Sequence, residues 1–324
     1  MPRQCRSSPD QVAHDRVTQN GAPVSRRGWL KTSLAASLIA PLAACAPGAD
    51  FDHRGPDAPS AGALPKPPRI AWVFSSGGPR GFVHVGVLKG LAELGLTPDL
   101  VVGSSVGALI GVLCASGRSA AEIEMLALEA QPWQLAGLAL GGSERLSGAP
   151  LARFMREQAR FARLEQLPVP AVCMAKRNDG AGAGVLDGGL VAFSRGDLGV
   201  AVQAACAIEG RFTPVRIRGQ RHVDADLHMP LPVRVARALG AIRVLAVDAS
   251  AFEDRAPPGA EAYRESDLRK RALTAPDAEL ADVLLHPEFG YWAGMSREYR
   301  ERLIAAGYRA TLAAAVPLLA MHAG

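Results

Sequence analysis

Leu100-Val101-Val102-Gly103-Ser104-Ser105-Val106-Gly107 passes from an apolar strand into a helical stretch, Val106 to Ala115, with almost nothing between them. Gly103 to Gly107 spells G-x-S-x-G, and strand, turn and helix is the setting in which that pentapeptide makes a nucleophile elbow, with a serine hydroxyl held above the sheet edge. The pentapeptide alone is weak. With 18 serines and 34 glycines in 324 residues, chance supplies about 0.2 such matches, so the pattern needs partners before it names chemistry.

Upstream, Arg69 to Ser75 contains the apolar run Ile70 to Phe74, the pattern of a strand buried on both faces of a parallel sheet. The turn Ser76-Gly77-Gly78-Pro79-Arg80-Gly81 then opens a helix to Leu94, stopped by Gly95. Gly86 and Gly90 share one face of it, which predicts a close approach to the sheet. Two strand-helix units in under 50 residues argue for an α/β fold with a mainly parallel sheet and helices on its faces.

Downstream, Ser119 with Glu122 makes a capping box for a third helix, and Leu151 to Phe161 reads as a fourth. Ala171 to Ala175 and Val185 to Phe193 bracket a loop and predict a long hairpin. Ser194 and Asp197 begin a helix to about Cys206; Val215 to Ile217, His222 to Val223 and Ile242 to Val247 read as strands, and Val233 to Leu239 as a helix. After Asp254 the chain is polar and proline-marked until Asp282 to Leu285, then helical from Ser296 to nearly the end. Residues 69–324 are expected to form one domain, with a helical C-terminal part at 282–320.

A serine hydroxyl is a poor nucleophile unless a base takes its proton and donors face the developing oxyanion. The turn Ser76 to Gly81 precedes a helix N-terminus, where backbone N–H groups lack intrahelical partners and the macrodipole favours negative charge. A nucleotide phosphate would suit the same turn, but it is neither G-x-G-x-x-G nor a P-loop, and Asp99 precedes the next strand rather than closing it. An ordinary α/β-hydrolase wants several strands ahead of the elbow and a later aspartate and histidine. One strand precedes it here, and Asp248 with His286 is the pair available for such a triad.

These residues resemble the patatin-like phospholipases, which combine a G-G-G-x-[RK]-G oxyanion loop, a G-x-S-x-G elbow one strand-helix unit later and a distant D-G-[GA] aspartate. The resemblance runs from Ile70 to about Val247 and includes Phe193 to Leu198, Ala207 to Phe212, and Val223-Asp224 through Leu231-Pro232-Val233. It implies a three-layer patatin-like fold and a Ser/Asp dyad of Ser105 and Asp224. Gly77, Gly78, Pro79, Arg80 and Gly81 would form the oxyanion loop, and Gly103 and Gly107 flank the elbow. It also implies a lipid or fatty-acyl ester substrate with neither cofactor nor metal, and an acyl-enzyme formed on Ser105. Arg80 would either orient a phosphate head group or face solvent.

Asp187-Gly188-Gly189 spells the family's letters better than Asp224 does, yet it comes too early in the order and reads as a turn. His222 and His228, which flank Asp224, are expected to pack or to face solvent. Three departures stand out: Ser76 for the loop's first glycine, Ala225-Asp226 after the aspartate, and Glu209 where the family usually has proline. A Ser76 that needed positive φ would be strained. Asp226, two positions from the base, would raise one carboxyl pKa if both faced the site. The altered Ala225-Asp226 motivates the rival reading, a non-catalytic lipoprotein that keeps the fold to bind acyl chains or a partner.

The first 45 residues read as an export signal. Ser25-Arg26-Arg27-Gly28-Trp29-Leu30-Lys31 resembles a twin-arginine motif, and Leu42-Ala43-Ala44-Cys45 resembles a lipobox, so Cys45 is expected to carry lipid and anchor the protein in a bacterial envelope. Ala46 favours outer over inner membrane. Residues 46–68, rich in Pro, Ala and Gly, are expected to be a tether. Residues 1–44 hold six Lys/Arg and two acids; taking them from the chain's 36 and 31 leaves a net charge near +1, which gives no electrostatic case for nucleic-acid binding. Cys114, Cys173 and Cys206 lie in apolar segments without metal-ligand spacing and read as buried thiols. Trp133 to Gly142 is an apolar stretch suited to a lid, a lipid-docking surface or core.

Overall fold

The computed structural model describes residues 51–139, 143–178 and 185–323, all within one compact unit. The export signal and Cys45 lie outside the described residues.

The described residues begin with β1 (Asp52–His53) and β2 (Ile70–Phe74), followed by α1 (Phe82–Glu93), β3 (Leu100–Ser104), α2 (Val106–Ala115), α3 (Ala120–Glu129) and a short α4 (Pro132–Leu135). A two-stranded ribbon, β4 (Gly137–Leu138) with β5 (Leu146–Ser147), leads to α5 (Ala149–Ala159). The hairpin region holds β6 (Ala171–Arg177), β7 (Val185–Leu186) and β8 (Leu190–Phe193). Next come α6 (Leu198–Ala205), β9 (Val215–Ile217), β10 (Gln220–Asp224), α7 (Val233–Ala238) and β11 (Arg243–Val247). The chain finishes with α8 (Glu261–Ala278), β12 (Val283–Leu285), α9 (Arg297–Ala313) and α10 (Ala315–Ala323).

The sheet runs β1-β9-β10-β6-β3-β2-β11-β12, with β8 also paired to β6. β6, β3, β2, β11 and β12 are mutually parallel, whereas β10, β9 and β8 join on antiparallel pairings. β2 shows why three layers form. All five residues are buried; Ile70, Trp72 and Phe74 pack into one apolar cluster with α1, α2, α5 and α6, while Ala71 and Val73 pack into a second with α7. Alternation along a strand sends neighbours to opposite faces, so a continuous apolar run demands cover on both. The α/β, mainly parallel three-layer reading is the fold observed.

The local signals behave as their chemistry requires. Ser119 and Glu122 form the capping box of α3, Asp197 accepts from Val200 N–H at the start of α6, and Ser296 does the same for Tyr299 in α9. β6 and β8 pair antiparallel, as the hairpin predicts.

Three expectations change. Gly86 and Gly90 do not face the sheet: a Cβ on Gly86 would lie 1.9 Å from the Ile304 carbonyl oxygen and one on Gly90 would meet the Thr311 side chain, so both glycines admit α9 against α1. Residues 51–64 are built into the body rather than left as a tether. β1 pairs parallel with β9, Ser60 bridges Arg195, Ala58 is buried, and the Asp57 carbonyl accepts from Asp197 N–H at 2.7 Å. An extended segment needs no periodicity of its own to add to an open sheet edge. The polar stretch after Asp254 contains α8, one of the longest helices present, with Pro276 in its last turn.

Candidate active site

Ser105 sits between β3 and α2 at φ 52°, ψ −125°, one of three non-glycine residues with positive φ among those described. Its glycine neighbours make that reversal sterically possible. A Cβ on Gly103 would come 2.4 Å from the Ala108 nitrogen, and one on Gly107 would come 2.2 Å from the Phe74 carbonyl oxygen. The chain turns from strand to helix within one residue and pushes the Ser105 side chain out of both. Such conformations persist only where the surroundings enforce them, commonly at reacting groups.

Asp224 ends β10, whose pairing with β6 carries it to the elbow. The Ser105 hydroxyl donates to Asp224 Oδ2 at 2.5 Å across 119 residues, and each residue is 6% exposed. Asp224 Oδ1 accepts the Asp226 N–H at 2.9 Å. Burial pushes the Asp224 carboxyl up to about 7, opposed by the Ser105 hydrogen bond and reinforced by the Asp226 charge. A carboxylate titrating near neutrality is matched to general-base work.

The glycine-rich turn lines the same cavity as Ser105. Gly78–Gly81 forms one 3₁₀ turn with Gly77 extended before it and Gly78 at φ 54°, where glycine is at ease. The N–H groups of Gly77 and Gly78 have no hydrogen-bond partner among the described residues, which leaves them available to an oxyanion. Pro79 has no N–H, and the Arg80 N–H donates to Gly77 O at 3.1 Å, so neither belongs among the oxyanion donors. Gly81 serves close packing: a Cβ there would lie 2.4 Å from the Val106 side chain. Ser76 is not at positive φ and fits without strain, its hydroxyl donating to Asp226.

Arg80 does not face solvent. Its guanidinium pairs with Asp267 at 3.0 Å and donates to the Tyr291 carbonyl at 3.1 Å, which ties the turn to α8 and the segment after β12. Asp226 is not on the strand with Asp224 but in the turn after it, held by Lys270 of α8 at 2.7 Å. Lys270 pulls the Asp226 carboxyl below its ordinary range against the effect of burial. Sequence reasoning missed Lys270 and Asp267 because α8 carries a charged, weakly patterned sequence with nothing to mark its inner face.

The histidine triad is not assembled. His286 Nε2 bonds the Ser250 carbonyl at 2.9 Å and its ring stacks on Phe252, while Asp248 accepts the Ser250 N–H. His222 is buried against Phe193 and His228 faces solvent, as their sequence reading holds. Asp187–Gly189 is a turn between β7 and β8 with Gly188 at φ 73°. Glu209 lies in an exposed turn, and nothing in the structure explains it. Of the three cysteines expected to be buried, Cys173 is, while Cys114 and Cys206 are half-buried; desolvation raises all three thiols, Cys114 and Cys173 to about 12.

Ser105 lines a cavity of about 300 Å³ walled by Leu109, Ile110, Leu113, Ala127, Leu151 and Phe154, with Gly78 and Gly81 also in its lining. Leu135 and Ala136 close one side, and beside them Trp133 is 70% and Leu138 83% exposed. The apolar stretch after Trp133 thus borders the cavity through Leu135 and Ala136; residues 140–142 of it lie outside the described residues.

The sequence is 29% identical over 218 residues to an uncharacterized NTE family protein of Mycobacterium tuberculosis, a match covering 67% of this chain and 58% of that protein. It is 28% identical over 196 residues to patatin-like phospholipase domain-containing protein 6 of Homo sapiens, covering 57% of this chain and 14% of the human protein. The chain thus spans less than two thirds of these relatives. Among solved structures, VipD from Legionella pneumophila aligns with a TM-score of 0.45 at 15% identity, covering 84% of this chain and 71% of VipD. The model of the family described as patatin-like phospholipase matches residues 72–237, which take in the elbow, the glycine-rich turn and Asp224. With half of its length matched, this chain belongs to the patatin-like phospholipase family.

Proposed function

We propose that this protein is a lipid acyl hydrolase of the phospholipase A, lysophospholipase or esterase type, acting on carboxylic esters through Ser105 and Asp224. The observation that carries it is the 2.5 Å Ser105–Asp224 hydrogen bond at the reactive end of an apolar cavity. A chain of methylenes gains about 0.8 kcal/mol per buried CH₂, so such walls favour an acyl tail over a polar substrate. Asp224 Oδ2 takes the Ser105 proton as the oxygen attacks the ester carbon, and the oxyanion forms against the N–H groups of Gly77 and Gly78. Collapse breaks the ester C–O bond, and the departing alcohol takes the proton from Asp224. Water, deprotonated by the same carboxylate, then releases the acid and returns the proton to Ser105.

An active-site fluorophosphonate tests this on the purified full-length chain. Labelling is expected for wild type and Ser104→Ala and lost in Ser105→Ala and Asp224→Asn. A folded wild type that resists the probe and cleaves none of a panel of fatty-acyl esters and phospholipids would favour the non-catalytic lipoprotein instead. Anchoring is a separate proposal, supported by the twin-arginine and lipobox resemblances: Cys45 carries lipid and holds the enzyme in a bacterial envelope. Cys45→Ala is expected to release the protein from the membrane fraction, and unchanged sedimentation would rule the anchor out.

A further inference from the structure

Ser76 and Asp226, two of the positions at which the chain departs from the patatin motifs, meet in space: the Ser76 hydroxyl donates to Asp226 Oδ1 across 150 residues. That same oxygen accepts from Lys270 Nζ at 2.7 Å, and the Asp226 N–H holds the base Asp224 at 2.9 Å. One helical turn earlier, Asp267 pairs with Arg80 of the oxyanion turn at 3.0 Å. Asp267 and Lys270 are three apart and therefore share one face of α8, a helix that lies beyond the residues matched by the family model.

We propose that α8 is a positioning clamp for the dyad, gripping the aspartate turn through Lys270–Asp226 and the oxyanion turn through Asp267–Arg80, with Ser76–Asp226 joining the two turns. The inference rests on the Ser/Asp reading above. Glycines at 76 and 226 would leave only the backbone link from the Ser76 N–H to the Pro230 carbonyl at 2.8 Å, whereas Ser and Asp together add a side-chain donor and acceptor. Exposed ion pairs contribute little, but Lys270 and Arg80 are each only 16% exposed at the side chain, and a cation so enclosed requires its partner.

The charges that face Asp226 are Asp224, Lys270 and Arg80; those that face Asp224 are Asp226 and Lys270, along with the Cys206 thiol, which burial keeps neutral. A clamp made of these charges predicts opposite signatures. Removing the Lys270 charge leaves a bare carboxylate beside Asp224 and raises the pH at which activity appears. Removing the Asp226 charge leaves a cation and lowers it.

The test measures kcat, KM and fluorophosphonate inactivation of the full-length protein across about pH 5–9. Lys270→Met is expected to lower kcat about tenfold with KM little changed and to move the acid limb up by about half a pH unit. Asp226→Asn should move it down by a similar amount, and Lys270→Arg should restore the wild-type profile. Folded variants whose limbs stay put or move together, or a Lys270→Met loss confined to KM, would overturn the clamp. If Lys270→Met does not fold, the cycle of Ser76→Gly with Asp226→Gly decides: a double variant no slower than Asp226→Gly supports the link, and additive losses overturn it. Wild type labelled at Ser105 with variants unshifted sinks the clamp alone; wild type unlabelled sinks the dyad, and the clamp with it.

Discussion

At the scale of single residues, the site depends on two costly placements. Ser105 holds a backbone conformation that costs a non-glycine residue about 1–3 kcal/mol, and it is enforced by Gly103 and Gly107. Gly107→Ala is expected to abolish labelling of Ser105, because its Cβ would drive into the Phe74 carbonyl at 2.2 Å. Asp224 is the second. With its carboxyl raised to about 7, activity should fall about tenfold for each pH unit below that value, as the base binds a proton it must release to work. Stability has the opposite sign. Between the ordinary value of 3.8 and about 7 the folded state keeps a proton that the unfolded chain has lost, so stability declines as pH rises through that window and is level above it. Asp224→Asn should therefore be more stable than wild type by about 2–4 kcal/mol at pH 8 and no more stable near pH 4, which urea unfolding at the two pH values would check.

Elements are set by close approaches that a pattern of polar and apolar letters does not display. α1 and α9 touch at backbone level: Gly86 abuts the Ile304 carbonyl, and in return a Cβ on Gly307 would lie 2.1 Å from the Val83 carbonyl. Gly86→Ala meets rigid backbone and should cost about 3 kcal/mol or more, while Gly90→Ala meets the side chain of Thr311 and should cost less; thermal unfolding of the two variants would rank them. Because α1 follows directly from the oxyanion turn, Gly86→Ala should also slow labelling of Ser105. The cap of α3 was legible, and Asp197 and Ser296 stood at the starts read for α6 and α9, since a side chain three residues from its partner is a local matter; Ser194, read together with Asp197, bonds Gly62 instead. α8 was not legible, because inward residues such as Asp267, Lys270 and Asp277 are charged and are placed by partners far along the chain.

For the molecule as a whole, the sheet delivers residues 76, 105 and 224 to one end of its parallel core and leaves an apolar cavity beside them. Filling it is expected to select against long tails: Ala127→Trp, on the wall formed by α3, should lower the ratio of long-chain to short-chain ester hydrolysis about tenfold or more, measured with an acyl-length series. The segment at 51–64 adds the edge strand β1 beside β9 and packs on the body, so deleting it should lower the melting temperature by several degrees, about what 1–2 kcal/mol produces. The sequence by itself determined the parallel α/β core and the elbow, and it singled out Ser105 and Asp224 as the proposed dyad. Those rest on local signals, apolar runs, turn glycines and the order of three motifs. Only the tertiary structure decided that Ser76, Asp226 and Lys270 meet, that Arg80 anchors its turn to α8, that Gly86 faces a helix, and that Asp52–His53 join the sheet with the residues after them packed on the body. Each of these is a contact between segments distant along the chain, whose chemistry appears only when folding brings the partners within hydrogen-bond or van der Waals reach.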